Sequence, residues 1–288
     1  MTVETITQTT GRIEPRPHIE LRGETTSPKR LFAELWAGRE LMIILARKDF
    51  QVRYRRASLG IIWAVALPLI QTVVLAVVFS RVAHIRAIPH VNYLMFILSG
   101  MTPWMYFSLA LPAGSTAVVD GSDMASKVYF PRALLPMSQL VTALYGFAIT
   151  VAILLVFCPV MGVHLGVVAL LVLPGTLLMV SVTCGFVLVI SALHVYFRDL
   201  RYMVSAALLV WMYATPIVYS ANSAPRILRG AIDLNPMTGV VDVFRAATVG
   251  HVGPLLVPVL ISVTWSLALS GAAMFLHCRF NRVFADLL

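Results

Sequence analysis

Arg47, Lys48, Arg53, Arg55 and Arg56 place five cations within ten residues, and an apolar run from Ala57 to Pro68 follows with no linker between them. Cations crowded against an apolar run resist translocation and attract anionic lipid headgroups, so this segment is expected to lie along one membrane face before the chain enters the bilayer. Other chemistry is thin. Asp120 and Asp123 are the nearest thing to a carboxylate pair, and a solvated turn explains them better than acid–base work does. His84, His90, His164, His194, His251 and His277 fall at span ends or in loops, which are places for interfacial packing rather than ligation. Cys158, Cys184 and Cys278 are far apart with no CxxC pair and read as small buried hydrophobes. No G-x-x-x-x-G-K-[ST] occurs, so the chain carries no P-loop of its own.

At 288 residues, 59% hydrophobic and 12% charged, the chain has too few charged groups to cover a water-exposed globule of this size. An all-α integral membrane protein is expected. The net charge of +9 does not indicate nucleic acid, because the basic residues lie beside apolar spans and not on a separate polar surface. Charge-free intervals place six spans, at 59–80, 93–117, 134–157, 167–193, 202–219 and 254–277. Pro159, Gly162, His164 and Gly166 supply the turn that divides the longest interval in two. With the N-terminus inside, 17 of the 22 Lys and Arg residues fall on the inner side and five outside: Arg81, Arg86, Arg226, Arg229 and Arg245. That bias sets both termini in the cytoplasm of a multi-pass protein.

Three regions are expected. Residues 1–30 form a disordered cytoplasmic arm, 31–56 an amphipathic interface helix, and 57–288 the six-span domain. On the interface helix, Leu31, Phe32, Leu35, Trp36, Met42, Ile43, Ala46, Phe50 and Tyr54 project to one side; Arg39, Asp49 and Arg53 interrupt that face, while Leu41, Ile44 and Leu45 stray from it. Between spans five and six, Asn235-Pro236 breaks two short helices that dip back towards the bilayer.

No Asp, Glu, Lys or Arg falls inside the six spans, which leaves no evident coupling to an ion gradient. Uphill movement would need a separate ATPase gripping a rigid cytoplasmic element. The 120–132 loop suits such a grip, because Ser122 to Lys127 can start a short helix, Val128, Tyr129 and Phe130 are apolar, and Pro131 stops it.

With these features in place, the chain resembles the permease subunits of ATP-binding-cassette exporters of polysaccharide or polyol-phosphate polymers, including O-antigen, teichoic acid and galactan. The likeness runs from about 35 to 285. It is carried by Arg47 to Gly60 with Trp63 and Pro68, by Lys127-Val128-Tyr129-Phe130-Pro131-Arg132 with Leu135-Pro136, by Phe197 to Leu200, and by Asn235-Pro236-Met237-Thr238 with Phe244-Arg245.

This resemblance implies a bacterial inner-membrane homodimer on two copies of a P-loop ATPase subunit. ATP and Mg would be bound by that partner and no cofactor by this chain. The implied cargo is a polyprenyl-diphosphate-linked glycan moved from the inner to the outer face. Residues 127–132 would then be the coupling segment, and Arg47, Lys48, Arg53, Arg55 and Arg56 the entrance that holds a diphosphate. A path for sugars needs aromatic faces with polar tips, which Trp63, Trp104, Tyr106, Trp211, Tyr213 and Tyr219 can supply. Two other readings stand beside this one: an ATP-binding-cassette permease for a small amphipathic lipid or drug, and a membrane scaffold or channel that uses no ATP.

Overall fold

The structure, a computed structural model, describes residues 28–55, 60–84, 91–122, 131–221, 224–250 and 253–280. Among them every regular element is helical. The chain runs through α1 (Pro28–Ala37), α2 (Arg39–Arg55), α3 (Ile62–Val77), α4 (Tyr93–Asp120), α5 (Leu134–Val160), α6 (Val172–His194), α7 (Leu200–Ala214), α8 (Arg226–Asp233), α9 (Pro236–Thr248) and α10 (Leu256–Phe280). Among the described residues, five helical stretches are long and apolar enough to cross a membrane: Ile62–Val82, Tyr93–Asp120, Leu134–Val160, Val167–His194 and Leu256–Cys278. The first includes a π-helical turn, Val78–Val82, and the fourth a 3-10 turn, Val167–Leu171. Their bounds follow the charge-free intervals closely, because fixed charge is what ends an apolar helix.

The expected fifth span is different. α7 has 15 residues and ends at Ala214, since Pro216 has no N–H to continue the ladder and forces Thr215 into an extended conformation (φ −89°, ψ 134°). The single helix expected over 31–56 is two, α1 and α2, parted at Gly38. A methyl group on Gly38 would sit 2.6 Å from Leu134 Cδ1, so the missing side chain permits close approach to α5.

α4 lies at the centre, packed by α3, α5, α6, α7 and α9. Small residues make this possible. Ala64, Pro68, Thr72 and Ala76 form the buried stripe of α3 at four-residue spacing, and Gly114 of α4 lets Val187 of α6 come in, where a methyl group would stand 2.5 Å from Val187 Cγ1. The α5–α6 turn is closed by Gly162 (φ +78°), with Val163 N bonded to Cys158 O at 2.9 Å and Gly162 N to Pro159 O at 3.1 Å, a Schellman ending.

α9 is buried at every position, enclosed by α4, α6, α10 and the Val167–Leu171 turn. Asn235 caps it, accepting from Met237 N at 2.9 Å, and Pro236 occupies the first helical turn, where no N–H is needed. The break seen in the sequence at Asn235-Pro236 is thus a helix start. Three carbonyls around it take side-chain donors: Thr238 Oγ1 donates to Ile232 O at 2.7 Å, Trp265 Nε1 to Leu234 O at 3.0 Å, and Ser262 Oγ to Pro236 O at 2.6 Å.

Candidate functional site

Two constellations stand at opposite ends of the bundle. At the first, α2 lies against the foot of α5. Leu45 and Ala46 are buried there, with Leu41 and Met42 beside a small apolar cluster of Leu45, Ala117, Leu134 and Leu135. Gln139 Nε2 donates to Asp49 Oδ2 at 2.7 Å, Thr142 Oγ1 to Ala46 O at 3.4 Å, and the Phe50 ring lies 5.4 Å from Tyr145. The apolar face read from the sequence is therefore rotated. Ile43, assigned to that face, is exposed, whereas Leu45, set apart from it, is buried; Asp49, an apparent interruption, is part of the contact. Periodicity alone weighs only hydrophobicity, and this face is defined by protein that includes a glutamine.

Replacing Asp49 with alanine leaves the half-buried Gln139 amide without that partner and is expected to cost about 1 kcal/mol. Thermal unfolding of the purified chain checks it; Asp49→Asn, which keeps an acceptor, should recover most of the loss.

Of the cationic cluster, Arg47, Lys48 and Arg53 are exposed; Arg47 and Lys48 lie off the face that meets α5, and Arg53 follows Asp49 by one turn at the end of that face. Arg55 closes α2, and Arg56 lies outside the described residues. Lys127, Val128, Tyr129 and Phe130 also lie outside them, as does the arm over 1–27. Pro131 and Arg132 emerge at the foot of α5, next to the contact with α2. Arg132 Nη1 is buried with no hydrogen-bond partner among the described residues, and burial pulls its pKa below the ordinary arginine value. At the same end, Arg201 Nη2 reaches Asp120 Oδ1 at 2.6 Å, tying the start of α7 to the end of α4. Both side chains are half exposed, so this tie contributes at most about 1 kcal/mol.

The six aromatic candidates separate into three groups. Trp63 and Tyr106 line a cavity of about 230 Å³ with Tyr54, Gln71, Ser108 and Thr150, between α3, α4 and α5 and the end of α2. Trp211, Tyr213 and Tyr219 line another, of about 350 Å³, beneath α8. Trp104 is buried among the helices, 5.6 Å from Phe107, and lines neither.

At the opposite end from α2 the chain beyond α7 is held by polar side chains. The last carbonyls of α7 have lost the donors that a continuing helix would supply. Thr215 N and Thr215 Oγ1 both return to Trp211 O, at 2.9 Å each. Tyr219 OH donates to Tyr213 O at 3.1 Å, and Asn235 Nδ2 reaches Ala214 O at 3.4 Å and Thr215 Oγ1 at 2.9 Å. Farther along, Tyr93 OH donates to Val218 O and Arg245 Nη2 to Ile217 O, both at 2.6 Å. Trp211 Nε1 completes the set by donating to Asn235 Oδ1 at 3.0 Å.

Arg245 is 1% exposed, although its charge marked it in the sequence as an outer-loop residue. Its guanidinium lies 3.7 Å over the Phe96 ring, and Asp242, one turn earlier, stands 3.9 Å from Nη1. The cation is tolerated because it meets a carbonyl, a ring face and a carboxylate together. Charge counting missed this site, since its acceptor comes from a proline-broken segment 28 residues away. A signal was present: Pro216 frees carbonyls that need donors, and Arg245 is a lone cation at the end of an apolar run.

The sequence model of a family described as ABC-2 type transporter matches residues 40–249. The chain is 31% identical over 248 residues to the O-antigen export system permease protein RfbA of Myxococcus xanthus, covering 85% of this chain and 94% of that protein. An O-antigen export system permease protein of Klebsiella pneumoniae is 28% identical over 217 residues, 74% of this chain and 83% of the relative. A polysialic acid transport protein of Escherichia coli is 22% identical over 205 residues, 69% and 78% respectively.

Proposed function

Because the chain belongs to the ABC-2 type transporter family, we propose that it is the permease subunit of an ATP-driven exporter. Its cargo is a polysaccharide linked to polyprenyl diphosphate, moved from the cytoplasmic to the outer face of the bacterial inner membrane. The observation that carries this reading is the docking of α2 on the foot of α5, beside the place where the 120–132 loop returns. A motor acting on that loop has α5 and the interface helix within one contact, so a push on either reaches both. The exposed cations of α2 stand at the same end, where a diphosphate headgroup would arrive.

In this reading two copies of the chain sit on two P-loop ATPase subunits, which bind ATP and Mg. The remaining span of the six is α7 with the segment to Tyr219. Fifteen helical residues reach about 22 Å, short of a hydrocarbon core of about 30 Å, and the turn from Thr215 to Tyr219 makes up the difference. α8 and α9 dip back from the outer face, and both termini stay in the cytoplasm.

The test is purification with a candidate P-loop ATPase subunit, followed by mass spectrometry of bound lipid and ATP-dependent export in vesicles. A bound polyprenyl-linked glycan and export that stops without hydrolysis are expected. A bound small amphipath, or movement indifferent to ATP, overturns the reading. In the same preparation, replacing Tyr129 and Phe130 with alanine should cut recovery of the ATPase subunit about tenfold, as loss of two interfacial aromatic anchors implies. Full stoichiometry with normal transport would reject the coupling role of residues 127–132.

A further inference from the structure

We propose that Arg245 is a positioning residue that latches the outer end of α7, holding it against α4 and α9, and that transport requires the latch to open. The second clause rests on the permease reading; the first does not. The segment after α7 has no helical ladder, and its carbonyls are held by side chains from other elements: Tyr93 of α4 on Val218 O, Arg245 of α9 on Ile217 O, and Asn235 on Ala214 O. Removing those donors frees the backbone itself, not merely a side-chain contact.

Three observations make the arrangement releasable. Along α7 itself only Val204 and Leu208 are buried, so beyond the buried Thr215–Val218 turn and the Trp211 ring it is the polar bonds that hold this end in place. The cavity of about 350 Å³ lined by Trp211, Tyr213, Tyr219 and Asn235 lies alongside the segment and gives it room to move. Arg245 is also under-satisfied for a buried cation: Asp242 stands off at 3.9 Å, and Nε has no partner among the described residues. A guanidinium serving only as a fixed core strut would be expected to use its donors. Here a free donor can follow the Ile217 carbonyl, or take another acceptor, as the segment swings.

The experiment uses the full chain in membranes, with Val218→Cys as reporter for a membrane-impermeant maleimide. Labelling of Cys158, Cys184 and Cys278 in the unaltered chain is subtracted. Val218 is 3% exposed, so basal labelling should be slow. Arg245→Gln removes a charge-assisted bond and should speed labelling about tenfold or more. Arg245→Lys keeps the charge and can still donate to the Ile217 carbonyl, and should restore much of the protection. Tyr93→Phe deletes one neutral donor and should give about a fivefold rise; it decides the matter if Arg245→Gln does not accumulate.

Leu165→Cys, in the α5–α6 turn, reports general loosening and should not change. No acceleration at position 218 in either variant, or an equal rise at 165, overturns the latch. In the complete complex, ATP should accelerate labelling at 218 when Arg245 is present and add nothing in Arg245→Gln. Labelling indifferent to ATP in an exporting complex overturns the gating role. A chain that shows the latch but exports nothing would instead sink the permease reading.

Discussion

Gly239→Ala is expected to prevent stable folding of the chain. A Cβ at this position of α9 would fall inside contact distance of the Pro258 carbonyl of α10 and 2.5 Å from Ser262 Oγ. The carbonyl is backbone, so no rotamer change relieves the clash, and α9 cannot retreat because α4 and α6 close its other sides. Separating the helices would also strain the Ser262 Oγ to Pro236 O bond of 2.6 Å that fixes the start of α9. Overpacking of this kind costs on the order of 3 kcal/mol or more when backbone must move. The measurement is the yield of monodisperse protein and its melting midpoint in detergent. Gly271→Ala, on α10 where a methyl group meets nothing within 4 Å, is the matched control and should be neutral or slightly stabilising. Equal melting of the two variants would show that α9 is not held between α4, α6 and α10 as described.

Reversing Arg47, Lys48 and Arg53 to glutamate is expected to leave lipid-linked polymer on the cytoplasmic side while the assembly persists. All three side chains are exposed, and the Asp49–Gln139 bond that docks α2 involves none of them. Each cation that holds a phosphate oxygen contributes about 1.5–3 kcal/mol, and repulsion replaces attraction on reversal. Surface glycan should fall about 100-fold or more, given tenfold per 1.4 kcal/mol. Charges beside a first span also set orientation, so the location of the termini must be mapped in the same strain. Unchanged glycan in a correctly oriented chain rejects the entrance.

Much of the helical layout could be read from the sequence because it rests on one strong rule. An apolar run continues until a charge or a turn stops it, and the five long helices, the Gly162 turn and the Asn235 cap all obey that rule. The end of α7 was also written in the sequence, as Pro216, but a charge-free run from Tyr202 to Tyr219 outweighed it. What the sequence concealed depends on partners distant along the chain. Whether Asp49 breaks a face or completes one is decided by Gln139, ninety residues later. Whether Arg245 sits in water or in the core is decided by Ile217 and Phe96, neither of them near it in the chain. The aromatic candidates divide for the same reason: composition makes Trp63, Trp104 and Trp211 alike, and only the packing buries one and leaves the others beside cavities.

α7 is fastened at its extremities, by Arg201 to Asp120 at one and by the Tyr93, Asn235 and Arg245 bonds at the other, with a bare flank between. A mutational survey of that flank would report on its neighbours and not on the chain's own folding. Ser205, Ala206, Ala207, Leu209 and Val210 can be exchanged for other small or apolar residues at almost no cost to an isolated protomer. Any intolerance measured at those five sites in living cells is imposed from outside the molecule, and its pattern along the helix would trace the outline of whatever presses there.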